Sequence, residues 1–299
     1  MAGRSRMPGS FSSQNLRHSV ASPAPVPQST SAAVLTSPAR RGFFSMIFSR
    51  HKEEVKNYVS SEGSITHQAW QEMGRESSLK TRLGAIEQLR NLVCSRRLQV
   101  STLEAIYHET RDLLEDDGEG EEAVLRMFVS LTTSQIEQMG LALRATFFNE
   151  ICRLGLTDLT LEWLIALTKN GEKVVGIEHT VVPLTEDWIG AVLDLSVDDH
   201  PLALLVIQFA QQLIKWNAGS LREHPLDKII YKVCERVYYK TDHLTYECLE
   251  LLDTIVKFGD IPDEKLITLV TTLCSLVNRS EVRKDAWSLM QDLLRSRSG

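Results

Sequence analysis

The stretch PDEKLITLVTTLCSLV (residues 262–277), followed two residues later by SEVRKDAWSLMQDLLRS (280–296), decides the fold. Each half reads as an amphipathic helix, and the two residues between them leave room only for a hairpin. Val282, Ala286, Leu289, Met290 and Leu293 form the apolar stripe of the second helix. No polar closing element follows that stripe, so it is expected to need a further repeat or a partner to cover it.

Upstream the same pattern recurs. HPLDKIIYKVCERVYYK (224–240) with HLTYECLELLDTIVKFG (243–259) makes a fifth pair, and LTEDWIGAVLDLS (184–196) with HPLALLVIQFAQQLIKW (200–216) a fourth. IEQMGLALRATFFNEICRLG (136–155) and TDLTLEWLIALTKNG (157–171) form a third, closed by Gly171 as the residue after the helix. The second pair opens with STLE at 101–104, a capping box in which Ser101 caps the helix and Glu104 reaches back. It crosses the acidic loop EDDGEGEE (115–122) and returns through AVLRMFVSLTT (123–133). SITHQAWQEM (64–73) and SLKTRLGAIEQLRNLVCS (78–95) complete the first, with Leu83, Ile86, Leu89 and Leu92/Val93 at three- and four-residue steps.

Pair starts near 64, 101, 136, 184, 225 and 262 define a degenerate repeat of about 40 residues with two helices per unit. That period predicts an all-α solenoid of the HEAT or armadillo type, about six hairpins over residues 56–299, each burying its apolar face against its neighbours. The longest step contains EKVVGIEHTVV (172–182), rich in Val and Ile. With no second strand nearby to pair with, it reads as an extended connection between repeats.

The first 55 residues differ in kind. Residues 1–52 hold no Asp or Glu but carry Arg4, Arg6, Arg17, Arg40, Arg41, Arg50 and Lys52, and the first 40 hold five of the nine prolines and nine serines. This composition predicts a disordered basic tail; it shares its Arg and Ser richness with mitochondrial targeting segments. The apolar stretch GFFSMIF (42–48) is expected to pack on the first helix pair or to touch a membrane surface peripherally. Ser5, Ser19, Ser45 and the Ser37-Pro38 pair are candidate phosphorylation sites, where added negative charge alters a basic contact.

Of the chain's 33 basic and 39 acidic residues, the seven basic ones of the tail leave 26 against 39, a body at −13. Such a body repels a phosphate backbone and argues against nucleic-acid binding. Cys94, Cys152, Cys234, Cys248 and Cys274 are odd in number and contain no CxxC, which suits reduced thiols in a cytoplasmic chain and buried packing positions. No run of about 20 apolar residues predicts a spanning helix.

Motifs for catalysis are absent: no GxSxG elbow, no phosphate-binding GxxxxGK[ST] loop, no GxGxxG after a strand, no HExxH. No catalytic, cofactor-binding or metal-binding residue is assigned, and no cofactor is expected. Asp199-His200-Pro201 and Glu223-His224-Pro225 bring carboxylate beside imidazole, yet His-Pro is also a helix-start signal and no companion ligand pair has metal spacing. The acids Glu115, Asp116, Asp117, Glu119, Glu121 and Glu122 lack the alternating register of a calcium loop and read as a solvated connection, or as a contact for calcium or a basic partner.

Thr272, Leu273 and Cys274, then Trp287, Leu289, Met290, Leu293 and Leu294, give a TLC segment followed by W-x-L-M-x-x-L-L. With residues 245–256, LTKNG (167–171), RATFFNEI (144–151) and ESSLKTRLGAIEQLRNLV (76–93), this pattern resembles the N-terminal helical region of the tuberin family, over roughly residues 60–299. The resemblance implies a non-catalytic scaffold that holds a hamartin-like coiled coil. It also implies a complex that restrains the small GTPase Rheb, and through it TOR signalling, by a domain near the C-terminus of a longer chain, to which nothing here is similar. It implies further repeats beyond the stripe of residues 282–293, and contact with a small GTPase only indirectly. Two alternatives stand beside it: an unrelated HEAT adaptor such as the solenoid of a Ral-directed GTPase-activating complex, and a direct GTPase activator donating Arg144, Arg236 or Arg283 as an arginine finger.

Overall fold

The computed structural model describes residues 58–115, 118–196, 200–221 and 226–297. Twelve α-helices lie among them: α1 His67–Met73, α2 Leu79–Val93, α3 Val100–Thr110, α4 Glu119–Gln135, α5 Leu141–Leu154 and α6 Asp158–Thr168, then α7 Glu178–Val192, α8 Ala203–Leu221, α9 Asp227–Tyr239, α10 Thr245–Phe258, α11 Asp263–Val277 and α12 Arg283–Arg297. The only β-pairing among the described residues is an isolated antiparallel bridge, Val59 to Ile65. The expected all-α solenoid of six hairpins is therefore the observed fold.

Even-numbered helices stack on one another in the order α2, α4, α6, α8, α10, α12, and α5, α7, α9 and α11 stack as a second layer. The contact is thinnest between the third and fourth pairs, where α6 meets α8 and α5 meets α7. Within the second pair a 3-10 turn, Arg111–Glu115, packs on both α3 and α4. Apolar side chains fill the space between layers continuously from Tyr58 to Leu293.

Polar side chains tie successive pairs together. Arg82, buried on α2, donates from Nε to the Met73 carbonyl at 2.8 Å and from both terminal nitrogens to the two Asp112 oxygens at 2.9 and 2.8 Å. The Gln135 amide at the end of α4 donates to the Val93 and Arg96 carbonyls, each at 2.8 Å, and accepts from the Leu98 amide at 3.1 Å. Trp163 is fully buried, stacks on Phe128 at 5.1 Å and donates its indole N–H to Thr132 Oγ1 at 3.0 Å.

Several sequence expectations need correction. Helix α3 starts at Val100, with Gln99 as its cap, so Ser101 lies inside the helix and no capping box forms there. The start is set instead by tertiary anchors: the Gln99 amide bonds the Gly63 carbonyl, and Leu98 is held by Gln135. The acidic loop is shorter than expected, because Glu119, Glu121 and Glu122 form the first turn of α4, where the positive end of the helix dipole favours them.

Residues 178–182 are helical rather than extended. Helix α7 carries Pro183 within it, and the buried faces of Val181 and Val182 offset the one lost hydrogen bond. The long step therefore falls between the fourth and fifth pairs. Helix α6 closes at left-handed Lys169 rather than at Gly171. Gly171 is required for another reason: at φ +98°, a Cβ there meets the Gln212 carbonyl oxygen of α8 at 2.3 Å.

The terminal stripe is also corrected. Val282, Ala286, Leu289 and Leu293 are already buried, since α12 turns that face onto α10 and α11; Met290 is partly buried, and Trp287 and Leu294 are the exposed apolar residues. Of the cysteines, Cys234 and Cys248 are buried as expected, whereas Cys94, Cys152 and Cys274 are exposed.

Candidate partner-binding surface

Helix α9 buries one stripe, Ile229, Ile230, Val233, Cys234 and Val237, and this stripe sets which way the rest of the helix faces. Tyr231, Tyr238 and Tyr239 fall outside it and stand 49%, 40% and 69% exposed. On the neighbouring α11, Leu269, Leu273 and Leu276 point inward, leaving Ile267 75% exposed. Between the two helices runs a groove of about 350 Å³, walled by the three tyrosines on one side and by Ile267, Thr268 and Thr271 on the other.

A second groove of about 470 Å³ continues across Tyr231 toward α7, with Asp187, Lys228, Lys232 and Lys265 on its rim. Its charges are largely matched. Lys228 Nζ lies 3.7 Å from both Glu186 and Asp187, and Lys232 donates to Glu235 at 3.1 Å. Burial pushes the Glu186 carboxyl up, and Lys228 opposes that shift. Tyr231 donates its hydroxyl to Glu235, one turn along the helix, at 3.2 Å.

The end of α9 is braced from behind. Arg279, in the turn before α12, donates to the Val237 carbonyl at 2.9 Å and to Thr241 Oγ1 at 2.8 Å, and Tyr238 and Tyr239 meet edge to face at 5.0 Å. Arg236 is buried and paired with Asp242 behind the same turn. The result is an ordered set of large amphipathic rings on a charge-neutral rim. Such rings carry much of the energy of protein interfaces, because they bury a large area at low conformational cost while their hydroxyls keep a polar partner.

Sequence reasoning left the interface unassigned, since aromatic residues in an amphipathic helix read first as core. The signal was the position of Tyr231 and Tyr238, seven residues apart and off the Ile229–Val233–Val237 stripe. Of the three arginines weighed as fingers, Arg144 and Arg236 are buried and not available to a GTPase, while Arg283 is exposed with Nε donating to the Val277 carbonyl at 3.0 Å.

His200 precedes α8, its Nδ1 accepting the Leu202 amide at 3.2 Å, as a helix-start residue does. Asp199, Glu223, His224, Asp116, Asp117, the tail serines and residues 42–48 lie outside the described residues. No group of three or more His, Cys, Asp or Glu among the described residues is arranged to hold a metal, and no helix among them is long and apolar enough to cross a membrane.

Three comparisons place the chain. The family described as "Domain of unknown function (DUF3384)" matches residues 79–299. The tuberous sclerosis 2 protein homolog of Schizosaccharomyces pombe is 24% identical over 204 residues, covering 60% of this chain and 15% of that protein. The solved structure of the TSC2 N-terminus aligns with a TM-score of 0.66 at 18% identity, over 76% of this chain and 60% of that one, a likeness of fold. The resemblance to the tuberin N-terminal region is thus borne out, and the chain spans about 15% of the length of the curated relative it matches.

Proposed function

The chain belongs to the family described as "Domain of unknown function (DUF3384)", and from that premise we propose that it is a protein-interaction scaffold holding a hamartin-like coiled coil against the tyrosine-bearing surface of α9 and α11. The observation that carries this reading is the exposure of Tyr231, Tyr238, Tyr239 and Ile267 together along one groove. A helix laid in such a groove anchors its apolar residues between the rings, and its charged flanks meet the matched lysines and carboxylates of the rim.

The solenoid supplies no catalytic group of its own in this reading. Restraint of Rheb and of TOR signalling is indirect and cytoplasmic, exercised by a GTPase-activating domain that acts within the same complex. The small GTPase is no direct partner of this chain.

The test is co-purification of the full chain with a hamartin-like coiled coil at mild salt. The expected result is retention by the wild type and a loss of roughly tenfold or more when Tyr231, Tyr238 and Tyr239 are all changed to Ser. Trp216→Ser, at an exposed ring on α8, leaves retention unchanged. Absence of binding by the wild type rejects the partner, and full binding by the triple variant rejects the surface.

A further inference from the structure

The even-numbered layer carries a surface of different chemistry. The N-terminal ends of α4, α6 and α8 share one edge and enclose a groove of about 700 Å³. Its floor is apolar, formed by Leu125, Leu156, Leu159 and Leu202. Its rim is acidic: Glu121 and Glu122 from α4, Asp158 and Glu162 from α6.

Among the described residues of the wall, Arg126 is the one lysine or arginine, and it is spent on Glu122, to which Nε and Nη2 donate at 2.9 and 2.8 Å. Glu121, Asp158 and Glu162 make no ion pair among the described residues. The helix dipoles account for Glu121 and Asp158, which sit in the first turns of α4 and α6. Glu162 lies a turn further on, beyond that effect. The groove between α7 and α9 offers a contrast, since Glu186 and Asp187 there both lie 3.7 Å from Lys228.

We propose that this groove docks a basic amphipathic segment of a second partner protein, leucine-like side chains seating on the partly exposed Leu156 and Leu159 and lysine or arginine groups meeting Glu121, Asp158 and Glu162. Charge complementarity selects the occupant. An acidic ligand meets three unopposed carboxylates, and a purely apolar one leaves them desolvated without counter-ions. A body at −13 attracts a basic segment from a distance. The site lies on the layer opposite the tyrosine surface and does not depend on it.

The experiment uses the full chain and a fluorescein-labelled helical peptide of leucine and lysine at helical spacing, followed by anisotropy at low salt and at about 0.3 M, where surface charges more than a few ångström apart are screened. Binding is expected at low salt, weakened at high salt, and absent for the peptide with glutamate in place of lysine. Glu121→Lys with Glu162→Lys weakens it roughly tenfold or more, and Glu162→Gln alone, which leaves the shape of the helix intact, by about threefold. Glu76→Lys with Glu264→Lys, the same net charge change placed elsewhere, leaves it unchanged. Equal losses from the two double variants, binding of the glutamate peptide, or no binding at all overturns the proposal.

Discussion

Asp112→Ala tests how the first two hairpins are held together. Arg82 has 7% of its side chain exposed, and each of its three nitrogens is hydrogen-bonded, two of them to Asp112 in a bidentate pair. Removing the carboxylate leaves a buried guanidinium with only the Met73 and Glu109 carbonyls. Breaking one side of a buried pair costs about 3–5 kcal/mol; the Asp112 side chain is 26% exposed, so water enters and the expected loss is nearer about 2–3 kcal/mol. Urea unfolding followed by circular dichroism measures it. Because repeats stabilise only their neighbours, hydrogen exchange should accelerate in α1, α2 and α3 and not in α8–α10.

The pair also sets a pH signature. Hydrogen bonds from Arg82, and then its charge, hold the Asp112 carboxyl below the usual carboxylate range. A depressed folded-state pKa means that the stabilisation is complete above the unfolded value of about 3.9 and fades as pH falls below it toward the folded value. The stability gap between wild type and Asp112→Ala should therefore be largest near neutral pH and shrink below about pH 4. A gap under about 0.5 kcal/mol at neutral pH, or one that does not change on acidification, would refute the reasoning.

Other substitutions probe the stack and the surface. Gly171→Ala combines a left-handed backbone with a Cβ at 2.3 Å from the Gln212 oxygen, and should cost about 3 kcal/mol or more in thermal or urea unfolding by pushing α6 from α8. Thr132→Val leaves the buried Trp163 N–H without its acceptor and should cost about 1–3 kcal/mol by the same measurement, while Trp163→Leu, which also opens space beside Phe128 and Phe147, should cost more. Replacing Tyr231, Tyr238 and Tyr239 together by Ser should leave stability within about 1 kcal/mol, so that any loss of partner binding is a surface effect. Alkylation of the native chain, read by mass spectrometry, should mark Cys94, Cys152 and Cys274 first. Burial pushes the Cys234 thiol up to about 11 and the Cys248 thiol up to about 12, which keeps both protonated and slow.

What was legible in the sequence follows from where the information lies. Helix identity and pairing depend on apolar spacing within one segment, and six hairpins could be read from it. Boundaries set by distant contacts could not: Ser101 looks like a cap until Gly63 and Gln135 fix residues 98 and 99. Likewise Glu178–Val182 looks extended because β-branched residues favour strands when nothing else is known, and helical burial overrides that preference. The stripe of α12 was read correctly as apolar but assigned the wrong neighbour, because one helix cannot say which adjacent helix it faces. The tyrosines were hidden for a related reason. Their type suits a core, and only the direction of Ile229 and Val233 shows that they face outward.

A solenoid has no central core, so each hairpin must bury its apolar face between its neighbours, and both layers keep an outward face along the whole stack. Those faces are free to differ. In this chain the odd-numbered layer presents tyrosines and matched charges near α9 and α11, while the even-numbered layer presents unmatched carboxylates over leucines near α4 and α6. The two surfaces lie on different repeats as well as on different layers. The acidic groove reaches the start of α8 and so spans the junction of the third and fourth pairs, where contact is thinnest and where the Gly171 turn lies close against the backbone of α8. That turn holds three left-handed non-glycine residues, Lys169, Asn170 and Lys173, with Lys169 and Lys173 both drawn to Glu137. Among the described residues, every non-glycine residue with a left-handed backbone thus falls at this junction, so backbone strain and thin packing coincide there.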